Sequence, residues 1–323
     1  MADVRLAPTA PRCSFGARGG TGGGRPLGIV SFGADGGIES RDGTVRLAVP
    51  STPVGGPFDE VWSTGGTPVA VAGDLVHYAH DGESAFFAAY LPPADRWADQ
   101  VEALYAELFT LLAETGYRHP MRGWNYLGRI NEPNADGEEI YRDFCLGRAR
   151  AFARHGAVDR MPAATGVGAD GAGVAVCLLA ARTAEPVHLE NPHQVPAYRY
   201  PPRYGPRPPS FARATWTEPA LFVSGTASVV GHESVHVGDL TRQIETSLGN
   251  IATVISGANL ARYGVSRGFT LADLTHVKAY VRHRRDLPVV RQYCQEAFGP
   301  DVRYLIADIC RTDLLVEIEG VIG

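Results

Sequence analysis

The hydrophobic positions of this chain follow one order of patterns twice. In the first half, short apolar runs typical of strands (28–32, 45–49, 69–72 and 85–89) precede a long helical pattern over 93–116. Within that pattern Trp97, Val101, Leu104 and Leu108 recur at helical spacing. A strand over 124–131, a helix over 138–155 and a hairpin over 163–181, with Asp170 and Gly171 at its turn, complete this half.

The second half repeats the order. Strand patterns over 221–230 and 234–237 lead into a long helix over 239–263, followed by a strand over 276–281, a helix over 287–298 and closing strands over 304–309 and 314–321. This predicts an α+β fold built as a tandem of two similar units, with mixed sheets packed by helices on one face. The predicted division is a flexible lead (1–26), a first domain (27–189), a connector (190–213) and a second domain (214–323).

The connector has an unusual composition. It reads ENPHQVPAYRYPPRYGPRPPSFAR and is rich in Pro, Tyr and Arg. Proline stiffens it, and its aromatic and basic side chains suit a binding wall better than a plain linker.

Composition and charge narrow the class of protein. Apolar residues make up 45% and charged residues 20%, which predicts a globular chain with a real core and excludes a fibrous or largely disordered one. The net charge of −5 gives no general attraction for nucleic acid or an anionic membrane. Of the 30 basic residues only Lys278 is lysine, so guanidinium groups must hold most bound anions.

The cysteines and the start of the chain indicate a cytoplasmic protein. Five scattered cysteines contain no CxxC pair, so neither a zinc knuckle nor a disulfide framework is indicated. The first residues lack the apolar run of a signal peptide, and no segment approaches the ~20 apolar residues of a membrane helix.

Three motifs suggest chemistry that their context disfavours. His232–His236 spells HExxH, but its Gly-bounded surroundings predict strand rather than the helix that a zinc site of this kind needs. Residues 166–171 spell GxGxxG but precede another strand, which favours a turn over a dinucleotide site. The glycine-rich segment 18–25 lacks the Lys-Ser/Thr ending of a phosphate loop. We therefore expect no metal and no organic cofactor.

The last hundred residues resemble the reactive-intermediate deaminase (Rid or YjgF-like) family. The similarity lies in FVSG over 222–225, GDLTRQIETSLGNIATVI over 238–255, LTHVKAYV over 274–281, Arg303, and VEIE over 316–319. In that family the arginine binds a substrate carboxylate, and the subunits form trimers with sites between them.

The whole chain is similar to the chorismatases, enzymes of secondary metabolism that release pyruvate from chorismate. The similarity includes GWNYLGRINE over 123–132, FCLGRARAF over 144–152, YGPR over 204–207, SGTAS over 224–228, and the ending with Arg303, Cys310 and Glu317. This resemblance implies chorismate as the small-molecule substrate.

Chorismate carries two carboxylates, so its site needs at least two arginine forks. Arg303 and Arg207 are the first candidates, Arg148 and Arg129 the second, and Tyr204 and Tyr198 are candidate hydroxyl donors.

Pyruvate release needs a proton delivered to the enolpyruvyl methylene, which suits a buried carboxylic acid of raised pKa. Glu317 lies among apolar residues of the last strand, where burial would raise its pKa. Glu319 is two residues away on the same face of the strand, so the pattern alone leaves both as candidates for the acid. The family resemblance favours Glu317.

The resemblance also bears on the product. Family members that form 3-hydroxybenzoate carry a small Gly/Ala pair near the first strand of the second copy and a cysteine near the end. Cys310 occupies that position, seven residues before Glu317, and Gly225 and Ala227 lie in the other stretch, without the sequence choosing between those two. We expect 3-hydroxybenzoate and pyruvate, with Cys310 assisting catalysis or shaping the pocket.

Other functions stay open at this point. They are hydrolysis of chorismate to a dihydroxycyclohexadiene carboxylate, Rid-like imine deamination, a non-catalytic ligand-binding trimer and, least favoured, a zinc hydrolase. A monomer and a homotrimer are both compatible with a duplicated chain.

Overall fold

A computed structural model describes residues 10–19, 24–156 and 161–323. The chain begins with a five-stranded sheet rather than with the first repeat unit. Its strands, in the order β1-β6-β2-β4-β3, are β1 (Arg12–Ala17), β2 (Arg25–Phe32), β3 (Gly37–Arg41), β4 (Thr44–Val49) and β6 (Phe58–Thr64). In the chain, β5 (Thr52–Pro53) lies between β4 and β6, but it does not belong to this sheet and pairs with a strand of the second unit.

This sheet departs from two expectations. Part of the predicted flexible lead is strand β1, while residues 1–9 and 20–23 lie outside the described residues. The strands expected to open the first unit, β2 and β4, belong to a separate sheet. Its pattern is hard to recognise because buried polar groups interrupt it: the Asp59 carboxylate accepts hydrogen bonds from Ser31 (2.7 Å) and Arg46 (2.9 Å).

The first repeat unit is a six-stranded sheet covered by two helices. It contains β7 (Val69–Val71), β8 (Val76–His80), β9 (Ser84–Leu91), α1 (Ala98–Thr115), β10 (His119–Gly128), α2 (Ile140–Arg154), β11 (Ala163–Ala169) and β12 (Val174–Ala181). Helix α1 buries Val101, Leu104 and Leu108, as predicted from their spacing, together with Leu112. It ends at Gly116, which is in the left-handed conformation (φ 81°).

The predicted hairpin over 163–181 is wrong in its pairing. Both strands form at the expected places, but β10 lies between them and pairs in parallel with β11 and antiparallel with β12. A turn between two apolar strands does not reveal that a third strand separates them.

The second unit repeats this arrangement. It contains β13 (Val187–Leu189), β14 (Ala214–Thr217), β15 (Ala220–Ala227), the hairpin of β16 (Val229–Val230) and β17 (Glu233–Ser234), α3 (Leu240–Ile255), α4 (Gly257–Ala261), β18 (His276–Val281), α5 (Leu287–Phe298), β19 (Val302–Ile306) and β20 (Val316–Ile322). The single helix predicted over 239–263 is two helices. Ser256 is extended (ψ 148°) and its hydroxyl accepts a hydrogen bond from the Asn259 amide, capping α4.

The strand orders confirm the duplication. In the first unit the order is β8-β9-β12-β10-β11, and in the second β14-β15-β20-β18-β19. Helices α1 and α2 occupy the same places in the chain as α3 and α5. The predicted α+β tandem, with helices on one face of each sheet, is therefore confirmed.

Three sheets share one interior. A central core joins the five-stranded sheet to the helix-free faces of both units, for example through Trp62, Trp124 and Phe222. Two further cores lie between each unit's sheet and its helices. Among the described residues, no helix is long and apolar enough to cross a membrane.

Candidate active site

A cavity of about 280 Å³ lies where the first unit meets the second, and the connector covers it. Its floor comes from β15 and β20. Its walls come from the start of α2, the loop 307–315 and the connector. The lining residues are Glu139, Tyr141 and Arg142; Gln194, Tyr200, Arg203, Tyr204, Pro209, Phe211 and Arg213; Gly225, Ala227 and Val229; Cys310, Arg311, Thr312, Asp313 and Leu314; and Glu317.

Glu317 is a protonated acid on the cavity floor. It lies on β20 opposite Ala227 of β15 and is 4% exposed. Burial, and secondly the nearby Glu319 carboxylate, raises the pKa of Glu317 to about 8, against smaller opposing effects of Arg122 and Arg213. At neutral pH the Glu317 carboxyl group is therefore protonated in most molecules, and it can donate that proton.

Gly225 provides the space for that carboxyl group. A Cβ atom at Gly225 would lie 2.0 Å from Glu317 Oε1, so any side chain there would displace the acid. The pairing of β15 and β20 shifts register between Val223 and Thr226, and the Gly225 amide turns to donate to the Thr165 hydroxyl (2.9 Å). A strand bulge thus fixes the glycine beside the acid.

Glu319, two residues farther along β20, is an ionised structural group. It accepts hydrogen bonds from Arg122 (2.6 Å), Trp124 (3.0 Å) and Tyr280 (3.2 Å), and Lys278 lies 2.8 Å away. Burial alone would raise its pKa, but Lys278 and Arg122 lower it. The structure therefore separates two acids that the sequence pattern left equivalent.

The loop 307–315, between β19 and β20, brings Cys310 and Arg311 to the cavity. Burial and, secondly, the nearby Glu317 raise the pKa of the half-buried Cys310, which keeps it a thiol. The Arg311 guanidinium lies 4.0 Å from the centre of the Tyr204 ring and 5.2 Å from that of Tyr200.

The connector forms the opposite wall and is held in place by polar contacts. Arg203 donates to Glu233 (2.8 Å) of the β16–β17 hairpin and to the Tyr204 hydroxyl (3.2 Å). The buried Arg213 donates to the Tyr200 hydroxyl (2.8 Å) and to the Val195 carbonyl (3.0 Å). The expectation that this segment is a binding wall agrees with its position.

Five predicted site residues meet in the cavity: Glu317, Cys310, Tyr204, Gly225 and Ala227. Four predicted arginines and one tyrosine do not, and these expectations need correction.

Arg303 lies on β19 with its guanidinium over the rings of Phe15 (5.5 Å) and Phe58 (5.9 Å). The N-terminal sheet covers the face on which the resemblance placed a substrate carboxylate.

Two other residues that were predicted for the site, Arg207 and Tyr198, face a groove beside α2 instead. Arg207 is exposed there and Tyr198 is half-buried. Arg148 is buried and donates to the Ser210 carbonyl (2.6 Å), so it holds the connector. Arg129 is exposed in a left-handed turn (φ 54°), 3.9 Å from Glu132.

The guanidinium groups that do line the cavity were missed. They belong to Arg142, Arg203, Arg213 and Arg311. Arg203 and Arg213 lie in the connector, whose arginine-rich composition was the only sequence feature that pointed to them. Arg311 directly follows the predicted site residue Cys310. Nothing in the sequence distinguished these arginines from their neighbours.

The HExxH stretch is not helical, as its context predicted, but the strand expected over 234–237 is shorter: only residues 233–234 form strand β17, which pairs with β16. His232 packs against Tyr204, and His236 adopts a left-handed conformation (φ 58°). Within residues 10–19, 24–156 and 161–323, no three His, Cys, Asp or Glu side chains are arranged to hold a metal ion.

Comparison with known proteins identifies the family. Residues 60–180 match the family model described as chorismatase FkbO/Hyg5-like, N-terminal. A 3-hydroxybenzoate synthase from Streptomyces hygroscopicus is 51% identical over 281 residues, which is 84% of this chain and 83% of that protein. A chorismatase from Streptomyces rapamycinicus is 46% identical over 330 residues and 98% of each chain.

A solved structure gives the same result. A chorismatase crystal structure matches with a TM-score of 0.94 at 42% identity, covering 98% of this chain and all of that one (100%). With such similarity over nearly its whole length, the chain belongs to the chorismatase family.

Proposed function

We propose that this protein converts chorismate into 3-hydroxybenzoate and pyruvate, with Glu317 as the proton donor. One observation carries the proposal: a carboxylic acid with a pKa of about 8 lines a cavity that is also lined by four arginine residues. The names of the relatives, 3-hydroxybenzoate synthase and chorismatase, support this substrate.

The cavity suits a small dianion. Its volume is near the lower end of the range for ligand pockets, roughly 300 Å³. Arg213 of the connector and Arg311 of the loop 307–315 both line it, so two carboxylates can each meet a guanidinium fork. While Glu317 stays protonated, it adds no negative charge that would repel the two carboxylates of the ligand.

The reaction balances without water or a redox partner. Glu317 gives its proton to the enolpyruvyl methylene, and the ring carbon–oxygen bond breaks with its electron pair leaving on pyruvate. The neighbouring ring hydroxyl forms a new bond to that carbon and returns a proton to Glu317. The oxygen's original bond to its own ring carbon then breaks, with the electron pair staying on oxygen. The carbon that had carried the enolpyruvyl group loses its hydrogen as a proton, and the oxygen gains a proton, giving the phenol.

Cys310 favours this product over the hydrolytic one. Its thiol lines the same cavity as Glu317 and lies close enough to interact with that carboxyl group, so it takes up space that water would otherwise fill. Because burial keeps it protonated, its role is to shape the pocket and assist ring opening as a weak donor, not to attack as a thiolate.

The proposal also covers the cellular compartment and the oligomeric state of the enzyme. The five free cysteines favour the reducing cytoplasm. A single chain already surrounds the central core with three sheets, which favours a monomer over a trimer.

Incubation of the protein with chorismate tests the proposal, with every aromatic and diene product identified by chromatography and mass spectrometry. We expect 3-hydroxybenzoate and pyruvate in equal amounts, and a changed rate or product ratio for Cys310→Ala. A dihydroxycyclohexadiene carboxylate as the main product would overturn the product assignment, and unchanged chorismate would overturn the proposed function.

A further inference from the structure

The loop 307–315 is folded around the side chain of Arg282, a residue from outside the loop. Arg282 follows β18 directly, its side chain is 9% exposed, and it is not among the cavity-lining residues. Its Nε donates to the Leu314 carbonyl (2.7 Å), and Nη2 donates to the carbonyls of Arg311 (2.7 Å) and Ile309 (3.2 Å).

The same guanidinium also ties the loop to its surroundings. Nη1 donates to the Asp308 carboxylate (2.5 Å), and both Nη atoms lie 3.2 Å from Asn131 Oδ1 in the first unit. Gln243 meets the loop from α3, donating to the Asp313 carbonyl (2.8 Å) and accepting from the Leu315 amide (2.8 Å).

The loop needs these partners because it has little regular structure of its own. Its carbonyls at 309, 311 and 314 are turned toward Arg282, and buried carbonyls without a hydrogen-bond donor are costly. A guanidinium offers five donors in a fixed planar fork, whereas a lysine offers three on a point charge. Only the fork can hold three carbonyls and two side-chain oxygens at once.

We infer that Arg282 is a positioning residue that sets the place of Cys310 and Arg311 opposite Glu317. It binds the carbonyl of Arg311 and those on both sides of the Cys310–Thr312 segment, and through Asn131 it fixes that segment relative to the first unit. Because displacements of about 1 Å can cost on the order of a hundredfold in rate, this anchor controls both turnover and exclusion of water.

Arg282→Lys tests the inference with two readouts, catalysis and hydrogen exchange. We expect a native far-UV spectrum, a fall in kcat for pyruvate release of about tenfold or more, and a larger fraction of hydrated diene product. Backbone amides of 310–315 should exchange faster, while those of α3 should not change. Arg284→Lys, the same change at an exposed position two residues away, is the control and should resemble the wild type.

Wild-type kcat, product ratio and loop exchange in Arg282→Lys would overturn the inference. If that variant does not fold, Asn131→Ala, which removes the acceptor that the first unit offers to Arg282, should show smaller shifts in loop exchange in the same direction, and no shift would overturn the inference. The catalytic readouts rest on the proposed function, but exchange does not. A wild type inactive on chorismate would refute that function and leave the anchoring to be decided by exchange.

Discussion

At the scale of single residues, two acids on one strand face have opposite charge states. Glu317 has no cationic partner in contact among the described residues and stays protonated, whereas Glu319 is surrounded by Arg122 and Lys278 and stays ionised. The negative charge on Glu319 is itself one cause of the raised pKa of Glu317. The ionised Glu319 therefore helps to keep Glu317 protonated.

The space beside Glu317 gives a prediction for Gly225→Ala. The added methyl group would meet Glu317 Oε1, so the carboxyl group must move, and we expect pyruvate release to fall on the order of a hundredfold with the fold retained. Gly249→Ala is the matched control, because Gly249 is exposed on α3 and a Cβ atom there would meet no atom of the described residues within 4 Å. Equal activity of the two variants would contradict the role given to Gly225.

At the same scale, the sequence predicted the uncharged residues that line the cavity better than the arginines that do so. Glu317, Cys310 and Gly225 were predicted from the short motifs around them, and all three line the cavity. Arg303 sits in an equally clear motif, yet the N-terminal sheet covers it with Phe15 and Phe58. Which arginine faces a cavity depends on packing between distant segments, and no local pattern records that.

At the scale of elements, periodicity predicted most helices and strands but not their partners. The spacing of Val101, Leu104 and Leu108 gives α1 because one face of a helix packs on a sheet. Strands β11 and β12 were predicted in place but not their separation by β10, since pairing depends on the whole sheet. The N-terminal sheet was missed where buried polar groups such as Asp59 and Glu60 interrupt its pattern.

At the scale of the molecule, one polar cluster joins the three sheets. Lys278 of the second unit contacts Glu60 of the N-terminal sheet and Glu319 of its own sheet, and its amine lies 3.3 Å from the Tyr126 hydroxyl of the first unit. Burial alone would lower the pKa of Lys278, but Glu319 and Glu60 raise it, so it stays charged. The sole lysine of the chain is thus a central cross-link.

Removal of this charge should destabilise the whole fold. Lys278→Met leaves two buried carboxylates without their common cation, and we expect a loss of about 3–5 kcal/mol in the free energy of unfolding by urea at neutral pH. The double variant Lys278→Met/Glu60→Gln should regain part of that loss because one charge is removed. An unaltered urea midpoint for the single variant would show that the cluster does not stabilise the protein.

The most direct test of the account is pyruvate release from chorismate by the wild type and Glu317→Gln, measured across pH. A donor must hold its proton, so wild-type kcat/KM should be constant at low pH and fall as pH rises through about 8. Glu317→Gln should fold normally and release pyruvate about 100-fold to 10,000-fold more slowly at every pH. Normal turnover by Glu317→Gln, or a wild-type rate that keeps rising above that pH, would show that Glu317 is not the proton donor.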